Sequence, residues 1–205
     1  MIELYTFGTG NGKRASVILE ECGLAYNVHK VDLAKGEQMS PEFRRINPLG
    51  VIPAIVDSDG PGGKPLTLTQ SGAIALYAAE KSGRFLPRDP VARLKVMEWL
   101  MHAVTDAAPT TGFIFQSGLL PEKPVAVLDK FKGRLLGFLK TVDAHLANHE
   151  YLAGELSIAD FALYTSAVTA KHLLGPQFTG FANVDRWMAA LAARPGVARG
   201  MQVPA

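Results

Sequence analysis

The chain has 205 residues, with 21 Lys and Arg against 19 Asp and Glu and a single cysteine, Cys22. A balanced charge with no long run gives no electrostatic case for nucleic acid or an anionic membrane surface, and one cysteine excludes an intrachain disulfide and any Cys-based metal site. The opening Met1-Ile2-Glu3-Leu4-Tyr5 lacks a basic leader, and no apolar run is long enough to cross a bilayer, so a soluble cytoplasmic protein is expected.

Ile2 to Phe7 reads as a short apolar strand, and Gly8-Thr9-Gly10-Asn11-Gly12 as a turn. Lys13 to Cys22 has helical spacing, with Ala15, Ile18, Leu19 and Cys22 on one face and Gly23 as the stop. Tyr26 to Leu33 alternates like a second strand. Pro41 to Ile46 is a helical turn ended by Asn47-Pro48. Ile55-Val56 and Leu66-Thr67-Leu68 are two strands around a Gly- and Pro-rich loop, Asp57 to Lys64. Ser71 to Lys81 is a helix with Ile74, Ala75 and Ala78 inward. The order βαβ, helix, ββα describes a thioredoxin-like α/β domain.

After Gly83 to Pro90 the grammar is helical. Leu94, Met97, Met101 and Val104 repeat at helical spacing, and so do Leu128, Phe131, Leu135, Leu139, Val142 and Leu146. Ser157-Ile158-Ala159-Asp160 has the capping-box pattern, opening a helix whose inner face is Ile158, Phe161, Tyr164 and Val168. Val184 to Ala193 is a further helix, stopped by Pro195. The expected organisation is an α/β domain over 1–82, a linker over 83–90 and an all-α domain over 91–205.

Two stretches carry chemistry. Val51-Ile52-Pro53-Ala54-Ile55-Val56 puts a proline at the mouth of an apolar strand, where it need not donate to a ladder and where a cis bond is plausible. Gln70-Ser71 opens a helix, where free N–H groups favour an anion. Together they suit an extended, carboxylate-bearing peptide. Each also has a plain reading, a strand-start proline and an ordinary N-cap. His102 and His172 stand alone, without ligand spacing, and no metal is expected.

Three motifs in this order, NPLGVIPAIV, TQSGAIALYAAEK and YLAGELSIADF, resemble the glutathione transferase superfamily across essentially the whole chain. The start, LYTFGTGNGKRASVILEECGLAYNVHKVDLAKGEQMSPEF, resembles its bacterial nu-class branch, which carries a Thr-x-Asn turn after the first strand. The resemblance implies the glutathione transferase fold, a thioredoxin-like N-terminal domain plus an all-α C-terminal domain. It implies glutathione as cosubstrate, a homodimer, and a small electrophilic or disulfide substrate. The activity implied is conjugation, or disulfide-bond or peroxide reduction, as in detoxification.

Carried onto this chain, Thr9 and Asn11 hold the glutathione sulfur as thiolate, the nucleophilic form. A free thiol ionises at about 8.5, and each unit of depression needs about 1.4 kcal/mol of preference for the anion. The Thr9 hydroxyl, the Asn11 amide and the helix N–H groups can supply it. The plain alternative is a flexible polar turn. Tyr5 is a rival thiol activator, though a core position suits it better, and Cys22 sits on an apolar face as a packed thiol.

For the rest of the tripeptide, the backbone of Val51, Ile52 and Pro53 pairs with the cysteinyl unit, Gln70 and Ser71 receive the γ-glutamyl end, and Gln38 holds the glycyl end. Many relatives have a lysine where this chain has Val51, so Lys13, Arg14 or Lys35 would have to replace that cation. Lys130 is a candidate reaching glutathione from the helical half. Pro109, Phe113 and Phe115, after an interrupted helix, are candidates for the acceptor. A binding or interaction module without catalysis is the alternative. A reductase acting through its own thiol is disfavoured, because the Thr9 turn has no cysteine.

Overall fold

The computed structural model describes residues 1–204. The chain forms two compact units. The first spans Met1–Leu86 and takes back the C-terminal segment from Arg194. The second spans Pro87–Ala193. No helix of the described residues is long and apolar enough to cross a membrane.

In the first unit, β1 (Ile2–Thr6), β2 (Tyr26–Lys30), β3 (Ala54–Asp57) and β4 (Leu66–Thr69) form one sheet in the order β2-β1-β3-β4. The pair β1–β2 is parallel and the other two pairs are antiparallel. Strand β1 alternates: Ile2, Leu4 and Thr6 are buried on one face, while Glu3 and Tyr5 are half-buried on the other. Helices α1 (Gly10–Cys22) and α3 (Ser71–Ser82) pack together, with Ala15, Val17, Ile18, Leu19, Ile74, Ala75 and Ala78 all buried. Short α2 (Pro41–Ile46) contributes Phe43 to a second cluster with Val31 and Ala54, edged by Tyr5, Ile46 and Ile52.

Three elements differ from the sequence expectation. Helix α1 begins at Gly10 rather than Lys13, because Thr9 caps it. Strand β2 ends at Lys30 and gives way to 3₁₀ turns at Leu33–Lys35 and Glu37–Met39. Pro195, read as a stop, also starts a short helix (Pro195–Gly200, called α9 below), as proline does at a first helical position. That helix lies on α1. Glu21, 5 % exposed, accepts from Arg194 and from the Val197 N–H, and Ser16 donates to the Gly200 carbonyl at 2.7 Å.

The second unit is helical: α4 (Pro90–Met101), α5 (Ala108–Gly118), α6 (Val125–Leu146), α7 (Ile158–Leu174) and α8 (Ala182–Ala192). Helix α4 runs into α5 through a π-helical turn, His102–Ala107, so the helix expected to be interrupted is continuous. Pro109 explains the widening, since it lacks the N–H that a regular helix would use there. The buried face is Val96, Leu100, Ala103 and Ala107, whereas Leu94 is 68 % exposed. Apolar residues occur on both sides of α4, so spacing alone did not say which side faces in. On α6 the expected face is buried apart from Phe131. At the start of α7 the expected capping box forms. Asp160, fully buried, accepts from the Ser157 N–H and hydroxyl, the Leu152 N–H and the Trp187 indole.

Candidate functional site

The sheet register gathers the singled-out segments at one end. Tyr5 pairs with Ala54, and Ala54 pairs with Thr69. Strands β1 and β4 therefore finish where β3 starts. The Gly8–Gly12 turn, the Ile52-Pro53 approach and the Gln70-Ser71 helix start consequently share one sheet edge. The Ile52–Pro53 peptide is cis.

At the end of β1, Thr9 is the N-cap of α1. Its hydroxyl oxygen accepts from the Gly12 N–H at 3.1 Å and its carbonyl from the Lys13 N–H at 2.8 Å. The hydroxyl hydrogen is left for another acceptor. The N–H groups of Gly10 and Asn11 fall in the first turn, which lacks intrahelical acceptors. Asn11 is exposed, and its Oδ1 accepts from Arg14 Nη1 at 2.7 Å. Because Arg14 can only donate, the amide oxygen must be the atom facing it. The Asn11 N–H₂ is then the group open to an outside acceptor.

Gln70 precedes α3 with φ 71°, a conformation that non-glycine residues rarely hold and that tends to occur at binding sites. It stands at the N-cap position of α3, and the residue is exposed. Ser71 is buried, and its hydroxyl oxygen accepts from the same Arg14 nitrogen at 2.8 Å. Arg14 thus joins the Thr9–Asn11 turn to the start of α3.

The loop before β3 is braced by Asn47, 2 % exposed. Its amide donates to the Val51 carbonyl at 2.6 Å and its Oδ1 accepts from the Leu49 N–H. Gly50 has φ 63°, and a Cβ there would stand 2.8 Å from Met39 Sδ and 3.0 Å from the Gln38 carbonyl. The loop therefore presses against Gln38, whose buried Oε1 has no hydrogen-bond partner. Such an unmet polar atom is rare in a folded chain and marks a place for a ligand group or water. The Val51 side chain is 46 % exposed and apolar.

Of the three cations weighed as substitutes at the glycyl end, Arg14 and Lys13 are held elsewhere, and Lys35 is exposed in a loose surface pair. Arg14 is occupied at Asn11 and Ser71. Lys13 donates to the Met201 carbonyl, and Lys35 pairs with Asp32 at 3.5 Å. Arg14, weighed from the sequence only as a cation for the glycyl end, instead bonds Asn11 and Ser71. The signal was present: a cation three residues after Asn11, on the same helical face.

Tyr5 is half-buried and stacks on His29 with ring centroids 4.5 Å apart, as a packing residue would. Cys22 is 4 % exposed, and burial pushes its thiol up, against an opposing bond to Ser82. In the helical unit, Lys130 is exposed on α6. Pro109, Phe113 and Phe115 are exposed on α5, with Phe113 stacked on Phe131 at 4.1 Å. Among the described residues no three His, Cys, Asp or Glu side chains form a metal-holding group.

Comparison with known proteins gives a consistent picture. Residues 11–81 match the glutathione S-transferase N-terminal domain, and residues 96–195 match the C-terminal domain. The disulfide-bond oxidoreductase YfcG of Escherichia coli is 35 % identical over 98 % of this chain and 94 % of that protein. A Pseudomonas putida glutathione transferase, solved with one glutathione disulfide per subunit, superposes with a TM-score of 0.91 at 36 % identity, covering 100 % of this chain and 92 % of that one. A family member from Pseudomonas fluorescens, solved with two glutathiones bound, also has a TM-score of 0.91, at 35 % identity, covering 99 % and 93 %.

Proposed function

The chain belongs to the glutathione S-transferase family, and from that premise we propose that it is a glutathione-dependent enzyme that activates the glutathione thiol, chiefly for disulfide-bond reduction. The observation that carries this reading is the set of donors at one sheet edge. The Thr9 hydroxyl, the Asn11 N–H₂ and the Ser71 hydroxyl each have their oxygen engaged, which leaves their hydrogens for an anion. In this reading Thr9 and Asn11 take the thiolate. The Ile52 main chain, between Val51 and Pro53, pairs with the cysteinyl unit like an added strand. Ser71 and the α3 N-terminus take the γ-glutamyl carboxylate, and Gln70 its ammonium. Gln38 lies at the glycyl end, where its unmet Oε1 accepts from the glycyl N–H.

The proposed chemistry is thiol–disulfide exchange. The glutathione thiolate attacks one sulfur of the substrate disulfide. A glutathione–substrate S–S bond forms, the substrate S–S bond breaks, and the departing thiolate takes a proton. A second glutathione thiolate resolves the mixed disulfide, giving glutathione disulfide and the second substrate thiol. Thus two glutathiones are oxidised for each disulfide reduced. The protein needs no cysteine of its own, in keeping with the buried, protonated Cys22. The same thiolate serves conjugation to an electrophilic carbon. Lys130 is proposed to support glutathione, and Pro109, Phe113 and Phe115 to meet the acceptor. Homodimer assembly and a cytoplasmic setting, where reduced glutathione is the working pool, complete the proposal.

A glutathione-coupled disulfide reduction assay tests it. Cys22→Ala should keep wild-type activity, and Asn11→Ala should lose at least about tenfold in kcat/KM, as removal of a donor to a developing anion does. The reverse pattern sinks the mechanism. Calorimetric titration that finds no glutathione binding would favour an interaction module instead.

A further inference from the structure

Arg14 is a cation with 1 % of its surface exposed, set inside the N-terminal unit on α1. One of its nitrogens, Nη1, donates to two acceptors, Asn11 Oδ1 at 2.7 Å and Ser71 Oγ at 2.8 Å. That nitrogen carries two hydrogens, and the guanidinium has no acceptor of its own. Asn11 must therefore turn its carbonyl oxygen to Arg14 and its N–H₂ away. Ser71 must accept from Arg14 and keep its hydroxyl hydrogen for something else. One nitrogen makes donors of both residues at once.

Burial lowers the Arg14 pKa to about 10, so the group stays charged at neutral pH. A buried positive charge then stands one hydrogen bond behind each donor. Several charged groups of the surrounding elements have partners of their own. Lys13 donates to the Met201 carbonyl, and Glu20 and Glu21 pair with Arg199 and Arg194. On α3, Tyr77 and Lys81 bond Asp57 and Glu80 is exposed, while Glu3 on β1 pairs with His29.

We infer that Arg14 is the positioning residue of this site: it orients Asn11 and Ser71 as donors and places one cation behind both the thiolate and the γ-glutamyl carboxylate. The role rests on the glutathione reading proposed above. It links the thiolate and the γ-glutamyl carboxylate electrostatically through a residue that touches neither. Lysine cannot substitute fully, because its ammonium rides on a flexible stem, whereas the planar guanidinium fixes one nitrogen between both oxygens.

The test uses the full chain and glutathione itself. The bound thiol is titrated by thiolate absorbance, and kcat and KM are followed against pH, in wild type, Arg14→Lys and Arg14→Gln. Arg14→Gln should raise the apparent pKa of the bound thiol by about one unit, which is about a tenfold loss of thiolate below that pKa. It should also raise KM, through Ser71. Arg14→Lys, which keeps the charge, should shift the thiol less than Arg14→Gln.

If the variants fold poorly, the wild type still decides: the Asn11 side-chain N–H₂ resonance should titrate with the bound thiol. Its indifference to the thiol would overturn the inference. So would well-folded Arg14 variants with the wild-type thiol pKa. Wild-type protein that binds no glutathione would overturn the proposed function itself, a separate and distinguishable result.

Discussion

Gly12 shows how tightly a single residue constrains the candidate site. A Cβ there would stand 2.0 Å from the Phe7 carbonyl oxygen and 2.6 Å from Thr6 Oγ1, so the first turn of α1 sits directly against the end of β1. Gly8 is the opposite case: nothing lies within 4 Å of its Cβ position, and its φ is not in the left-handed region. Gly12→Ala should therefore destabilise by about 1–3 kcal/mol, as overpacking does, and weaken glutathione binding by displacing Thr9 and Asn11. Gly8→Ala should stabilise by about 0.4–1 kcal/mol by stiffening the unfolded chain. Urea midpoints of the two variants should move in opposite directions. The sequence shows three glycines in five residues and suggests looseness. Contact distances separate the glycine that the packing requires from one that it does not.

Among elements, the β3–α3 connection carries the clearest pH dependence. Asp57, fully buried at the end of β3, accepts from Tyr77 and the Asp59 N–H and pairs with Lys81 at 2.9 Å. Burial works to raise its pKa, but the bonds from Tyr77, the Asp59 N–H and Lys81 outweigh it and hold the carboxyl below its usual range. A depressed folded pKa means the contribution is complete above the unfolded value of about 3.9 and disappears as pH falls through the folded value. Asp57→Asn should therefore lower stability at neutral pH and flatten the acid limb of the stability curve. An acid limb identical to wild type would contradict this. The periodic and capped elements, such as α1, α3, α6 and the start of α7, could be read from the sequence because local chemistry decides them. The π-helical turn and α9 could not. A widened turn depends on how a whole helix accommodates Pro109, and the proline that opens α9 reads equally well as the stop of the helix before it.

At the scale of the whole molecule, the C-terminal segment belongs to the N-terminal unit. The expected boundary assigned all of 91–205 to the helical half, yet α9 docks on α1 through Glu21, Ser16 and two close glycines. A Cβ on Gly200 would stand 2.4 Å from the Val17 Cα, and one on Gly196 would stand 2.7 Å from Glu21 Oε1. Truncation after Ala193 takes Arg194 and the Val197 N–H from Glu21 and uncovers the face of α1 around Val17 and Glu21, so it should lower the stability of the N-terminal unit. The truncated chain should show faster hydrogen exchange along α1 and weaker glutathione binding, because α1 carries Thr9 and Asn11 at its start. Unchanged α1 protection would argue against the coupling.

The sequence by itself determined the α/β and helical halves, the family, and which residue types are available at the candidate site. Hydrophobic periodicity, helix caps and turn residues are local properties, and a proline before a strand or a Gln-Ser before a helix keeps its chemistry wherever it sits. What only the tertiary structure decided was orientation. Asn11 and Ser71 lie 60 positions apart in the chain, and nothing in their spacing says that one buried guanidinium nitrogen holds both. Nor could spacing say that Lys13 is already engaged, or that Gln38 has an unmet bond. Hydrogen-bond partners across a fold depend on which surfaces the packing brings together, and here the antiparallel register of β1, β3 and β4 set that meeting.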